Sequence, residues 1–178
     1  MESNRRCVPP VTRQALRHGL RLFIALVGAS AAAFSQQPAE KTFASAADVA
    51  AMIAKARNER KPDQESFGQV LLQAAPYTVN LASIVPSANA GANVHEKEAE
   101  FYYVVEGSAT LLTGGKLRNE KRLNPENLTG TGIDGAASRH IAKGDFFLVP
   151  ENTPHGFADI AGTLVIMSMH VPRGAAAR

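Results

Sequence analysis

The sequence predicts an all-β domain, a sandwich or barrel of many short strands with one α-helix in front of it. Three observations carry this. From Gln69 onward apolar residues recur at a period of two, the spacing of strands with one buried face. Turn signals punctuate that pattern at Ala75-Pro76, Pro86-Ser87, Glu106-Gly107, Gly114-Gly115, Lys143-Gly144 and Pro150-Glu151-Asn152. No helical pattern follows residue 60, so the apolar faces must be closed by other strands.

The first 35 residues read as an address and not as part of the domain. Arg5, Arg6, Arg13, Arg17 and Arg21 precede an uncharged apolar run from Leu22 to Ala33. About 12 residues is shorter than the roughly 20 that span a bilayer, and it suits a secretory signal peptide. Ala33-Phe34-Ser35 puts small residues where a signal peptidase reads, so cleavage is expected before Gln36, with cleavage after Ala33 the alternative. An uncleaved anchor or an N-terminal helix is the other reading of the run. The expected location is periplasmic or secreted, with no membrane attachment after cleavage.

Removing this segment inverts the charge. It holds five of the 19 Lys and Arg residues and one of the 16 Asp and Glu residues, so residues 36–178 carry a net charge of −1 in place of +3. A basic pI that resides in the leader gives no support to a nucleic-acid partner. Cys7 also belongs to the leader, which leaves the mature chain without a thiol nucleophile or a disulfide. The remaining length is that of one domain. It divides into a tail and amphipathic helix over 36–68 and a barrel over 69–178.

Within that domain, residues 36–41 read as a mobile tail. Ser45 and Asp48 stand at the spacing of an N-cap and its reciprocal partner, and Val49, Met52, Ile53 and Ala56 follow at helical spacing. This predicts a helix over 46–60, its apolar stripe lying on the core. Strands are predicted over 69–74, 77–85, 92–95, 100–106, 108–113, 139–142, 145–149, 155–158 and 163–171. Residues 116–138 break the pattern with Asn, Gly, Thr and Pro, and are expected to form a mobile loop over or beside the barrel mouth.

Two stretches carry chemistry. Asn93 to Gly107 reads N-V-H-E-K-E-A-E-F-Y-Y-V-V-E-G, and Gly144 to Asp159 reads G-D-F-F-L-V-P-E-N-T-P-H-G-F-A-D. The second histidine of an H-x-H pair, a glutamate after four intervening residues and a glycine after six more correspond to His95, Glu100 and Gly107. Gly144, Pro150, Asn152, His155 and Asp159 keep the spacing of G, five residues, P-x-G, two residues, H, three residues, N, with Asn152 in place of the glycine and Asp159 in place of the asparagine. In these stretches the chain resembles the cupin superfamily, over roughly residues 69–171.

The resemblance implies a cupin-type double-stranded β-helix, a jelly-roll barrel. It also implies metal ligation by His95, Glu100 and His155 of a divalent ion such as Fe, Mn, Ni or Zn. Asn93 departs from the pattern, standing where the first histidine is usual. Its amide oxygen or a water is expected in that position, and residues two apart on a strand place Asn93 and His95 on one face. A barrel without metal, its histidines hydrogen-bonded inside, is the alternative. His140 and His170 would fill the gap if either pointed inward, although a lone strand histidine is more commonly packed or solvent-facing. Lys97 is expected on the rim, and Glu96, Glu98 and Glu106 as solvated turn charges. Phe101, Tyr103 and Val105 alternate with the inward set, so the outer face needs cover from the helix and from a second copy of the chain, a homodimer.

Three functions are compatible with this pattern. The one adopted is an exported metal-dependent enzyme acting on a small organic molecule by dioxygenation, isomerisation or decarboxylation. The alternatives are a non-catalytic small-molecule-binding barrel and a bare scaffold, since one fold hosts many chemistries. Export is open to direct measurement: N-terminal sequencing of protein recovered from its producing cell should begin near Gln36, and an intact Met1 contradicts it.

Overall fold

In the computed structural model the described residues are 39–87 and 91–172, and the expected leader lies outside them. Helix α1 runs from Ala46 to Glu59. Ser45 caps it, its hydroxyl accepting from the Asp48 amide while the Asp48 carboxylate accepts from the Ser45 amide at 2.8 Å, so two orphan donors of the first turn are satisfied at once. Lys41, expected in a free tail, instead exchanges backbone hydrogen bonds with Gln73.

Among the described residues thirteen strands follow: β1 (Ser66–Ala74), β2 (Tyr77–Ile84), β3 (Ala92–His95), β4 (Glu98–Glu106), β5 (Ser108–Thr113), β6 (Lys116–Leu117), β7 (Lys121–Asn124), β8 (Asn127–Gly130), β9 (Ile133–Asp134), β10 (Ala137–Ala142), β11 (Phe146–Val149), β12 (His155–Ala158) and β13 (Leu164–Pro172). One sheet has the order β1-β2-β13-β4-β11 and the other the order β10-β5-β12-β3-β8-β7, every pair antiparallel. Consecutive strands fall in opposite sheets at several points, and the two sheets face each other as a double-stranded β-helix. Between them lies a core of Tyr102, Val104, Ala109, Leu111, Ile141, Val149, Leu164 and Ile166. The predicted strands are present, with β1, β4 and β10 beginning earlier than expected.

The odd-numbered residues of β4 and β13 face outward. Val105, Val165 and Met167 pack with Leu71 and Leu81 under Val49, Met52 and Ile53 of α1. The helix therefore closes part of the outer face, as its apolar stripe requires. Toward the edge strand β11 the same face is open: Tyr103, Phe146 and Leu148 are exposed, with Phe101 stacked on Phe146 at 5.8 Å.

The region 116–138 departs from expectation. It is four short strands and not an irregular loop, and β8 is hydrogen-bonded to β3 beside the first motif. Polar residues conceal this because all four residues of β7 are exposed and those of β8 are half-buried, so neither strand alternates. The motif turns follow backbone necessity. At Gly107 φ is +82°, and a Cβ there would stand 2.1 Å from the Thr163 carbonyl oxygen. Asn152 occupies the usual glycine position with φ +57°, a left-handed conformation that asparagine tolerates.

Candidate metal centre

Register brings the two motifs together. His155 on β12 is directly opposite Asn93 on β3, so both share the inner face with His95 two residues along. The second-motif turn is tied to the first motif by the Asn152 amide, which donates to the His95 carbonyl at 2.7 Å. Glu100, on β4 of the facing sheet, turns inward between them. It is 5% exposed and His155 is 3% exposed.

One carboxylate oxygen is the centre of the cluster. Glu100 Oε2 lies 3.2 Å from His95 Nε2 and 3.3 Å from His155 Nε2, and it accepts the Tyr102 hydroxyl proton at 2.6 Å. The donor atoms of His95, Glu100 and His155 all lie within 4.8 Å of one another. Ligands bound at about 2.0–2.2 Å with angles of 90–110° are about 2.8–3.6 Å apart, and both nitrogen–oxygen separations fall in that interval.

The outer nitrogens decide what the inner ones offer. His155 Nδ1 lies 2.9 Å from the Thr153 carbonyl, an acceptor only, so Nδ1 carries the proton. His95 Nδ1 is held at 2.7 Å by the Asn127 side-chain oxygen, across the β3–β8 pair. With its proton on Nδ1 alone, each ring turns an Nε2 lone pair toward the same carboxylate oxygen; with a second proton on Nε2 it donates to that oxygen instead. Lone pairs facing at these distances repel unless a proton or a cation stands between them. Oε2 already takes one hydrogen bond from Tyr102, and a shared divalent cation satisfies both imidazoles where two further protons would crowd one oxygen. These residues fit a metal ion, and the outer partners are of the kind that orient metal-bound histidines.

His170 belongs to the cluster, which the sequence left open. It pairs with Glu100 in the β13–β4 register, its Nε2 lies 3.3 Å from the other oxygen, Oε1, and its ring meets His95 edge-on at 4.5 Å. Its Nδ1 lies 3.1 Å from Glu98, but the line of approach is not that of a hydrogen bond, so this contact is electrostatic. His170 stands outside the three-residue ligand group. Its place is behind the carboxylate, fixing which oxygen faces the metal position.

Other expectations need correction. Glu98 is not a solvated turn charge; it begins β4 and faces His170. Lys97 pairs with Glu126 at 2.8 Å, Glu96 with Arg122 at 2.8 Å and Glu106 with Arg57 at 2.7 Å, so the rim charges brace neighbouring segments. His140 is exposed on β10, opposite Thr110, and takes no part in the site. Tyr102 and Asn127 were missed as site residues. Tyr102 had a signal in its shared face with Glu100, whereas Asn127 had none.

Burial alone pushes the Glu100 carboxyl up and is the largest single influence on it. Hydrogen bonding to His155, His170, His95 and Tyr102 together outweighs that and holds the group well below the usual carboxylate range. Burial, then the Glu100 charge and the hydrogen bond to it, push the Tyr102 phenol well above its ordinary value. The hydrogen bond to Glu100 raises His170 above its ordinary 6.5 against the effect of burial, with the charges of Glu100 and Glu98 adding to it.

A cavity of about 610 Å³ opens on one side of the cluster. Asn93, Glu100, Tyr102 and His155 line it, while His95 and His170 do not. The side on which the usual fourth ligand is lacking is thus the side that faces the cavity.

No family model matches this chain, and no curated protein sequence matches it. Solved structures similar to it include FeII HppE, at 16% identity and a TM-score of 0.47 over 61% of this chain and 52% of that one. KdgF from Halomonas sp. is similar at 16% identity and a TM-score of 0.46, over 64% of this chain and 86% of that one. An uncharacterized conserved protein with a double-stranded beta-helix domain from Klebsiella pneumoniae subsp. pneumoniae MGH 78578 is similar at 18% identity and a TM-score of 0.47, over 66% and 85%. The chain spans about half the length of the HppE chain. Its cupin-type fold is defined by its own strand order and by the meeting of the two motifs at one carboxylate.

Linkage gives the two shifts a sign. Glu100, with a depressed folded value, contributes stability that is present above its ordinary 4.5 and is lost as pH falls. His170, with a raised one, contributes stability that is full below 6.5 and is lost as pH rises through its folded value. Urea midpoints of the metal-free protein should decline on both sides of that interval. Glu100→Gln should flatten the acid limb and His170→Gln the alkaline one; limbs of unchanged slope contradict the assignment.

Proposed function

We propose that this chain is a metal-dependent cupin enzyme acting on a small organic molecule. His95, Glu100 and His155 hold a divalent ion of the Fe, Mn, Ni or Zn type, and the adjoining cavity takes the substrate. The observation that carries the reading is the pair of imidazole Nε2 atoms, fixed by their outer hydrogen bonds, 3.2 and 3.3 Å from one buried carboxylate oxygen. A bound ion of this kind supplies Lewis acidity and, for a redox metal, electron transfer.

The chain's own residues have separable duties. Glu100 supplies the one anionic donor and stays ionised. Tyr102 is locked to it and, with its raised value, holds its proton at neutral pH, so it orients the carboxylate and does not act as a base. Asn93 leaves its position open to a molecule in the cavity, an arrangement that a histidine there would close. Export to the periplasm or beyond is consistent with this reading and rests on the leader alone.

Metal titration tests the centre. The metal-free protein should bind one equivalent of Fe(II), Mn(II), Ni(II) or Zn(II), and His155→Ala should abolish stoichiometric binding. Asn93→His should tighten it, because imidazole is the better ligand for the later first-row metals. Asn127→Ala should weaken it by about 10- to 100-fold, the usual cost of losing an outer partner. A parent protein that binds none of these ions overturns the reading.

We also propose that a second copy of the chain covers the open outer face around Tyr103, Phe146 and Leu148. Light scattering should give a dimer mass for the parent and a monomer mass after Phe146→Glu with Leu148→Glu. A parent that is monomeric at high micromolar concentration contradicts this.

A further inference from the structure

The cavity beside the metal centre is a slot with a direction. Glu100 is level with His170, and six residues back along β13 Leu164 is level with Ile84. That is about 20 Å of strand at ~3.3 Å per residue. Along the way Ser168 comes level with Tyr102, then Ile166 with Ala82, and finally Ile84 pairs with Ser66, which follows Glu65. The facing sheet runs the same course from His155 through Phe157 to Asp159. The inner end holds the buried Glu100 and His155 beside the exposed Asn93, the middle is largely apolar, and the outer end is exposed and holds Glu65 and Asp159.

Charge along this slot is one-sided. The described residues that line it include Glu65, Glu100 and Asp159 but no lysine or arginine. The imidazoles and the phenol take up the Glu100 charge. Glu65 accepts a hydrogen bond from the Ser87 hydroxyl, and among the described residues neither it nor Asp159 has a cationic partner. An anionic group at the mouth would meet two carboxylates and no cation, whereas a protonated amine would meet two acceptors.

We infer that the slot takes an elongated organic amine. Its inner end offers an oxygen or nitrogen to the metal position, its middle is apolar, and its outer end is an ammonium group held by Glu65 and Asp159. This rests on the reading of the barrel as a metal-dependent small-molecule site and adds the class of molecule.

Three probes test it, each with a hydroxamate head and a ten-carbon chain, ending in ammonium, methyl or carboxylate. They are titrated calorimetrically into zinc-loaded and into metal-free protein. The ammonium probe should bind tightest and the carboxylate probe weakest, on the order of tenfold apart, with the gap shrinking as salt is added. Glu65→Gln combined with Asp159→Asn should remove the gap; asparagine keeps the left-handed conformation at 159, where φ is +49°. A methyl or carboxylate probe that binds as tightly as the ammonium one overturns the inference. So does a gap that survives the double substitution, or absence of binding by all three. Failure of zinc to bind, read in its own titration, overturns the metal reading instead, and the end-group comparison on the metal-free protein then decides the amine.

Discussion

The site depends on the burial of one carboxylate. A carboxylate 5% exposed in an apolar barrel is costly unless every lone pair is met. Glu100 meets that condition from three directions, with a phenol on its own strand, imidazoles from the opposite sheet and another imidazole from β13. Of these partners Tyr102 and His95 are near in sequence, whereas His155 and His170 are far along the chain. The fold must therefore be closed before the charge is satisfied, and the charge in turn penalises any register in which β4, β12 and β13 slip, because one residue of slip turns the side chain to the opposite face.

The same economy explains the segment 116–138. Its apolar content is too low to hold a core strand, yet β8 lies against β3 and presents Asn127 to the outer nitrogen of His95. Glu126 and Arg122 then hold Lys97 and Glu96 at the turn between β3 and β4. Exposed ion pairs add little stability individually. Several of them on one turn restrict how it moves, and that turn joins His95 to Glu100, two members of the candidate metal cluster. The segment serves as a buttress, placed by hydrogen bonding where hydrophobic patterning is silent.

Much of the fold was legible because period and punctuation agreed. The cap at Ser45, the strands from 69 onward and the turns at Gly107 and Gly144 each have a local physical cause. The convergence of His95, Glu100 and His155 was legible through motif spacing. What sequence reasoning missed depends on pairing at long range. Residue parity put His170 on the face of Leu164, Ile166 and Ser168, but only the register with β4 sets it opposite Glu100. Starting β4 at 100 and not at 98 made Glu98 look like a turn charge when it is a strand residue beside His170. Asn127 was unreadable for a different reason: its strand does not alternate, so nothing local marks it as a strand at all.

The two oxygens of Glu100 have different surroundings, and this bears on why a site with Asn93 still has the makings of a centre. Oε2 faces His95, His155 and the Tyr102 hydroxyl, while Oε1 faces His170. Rotation of the carboxylate would exchange these roles and cost contacts on both sides. A ligand set reduced to three depends more heavily on each donor being held in place, since no fourth protein ligand constrains the geometry. Here the outer nitrogens are pinned by Thr153 and Asn127, and the carboxylate is clamped at both oxygens. Rigidity of the three remaining donors takes over from the number of donors. The position left open falls on the cavity wall, where a bound molecule and not the protein would complete it.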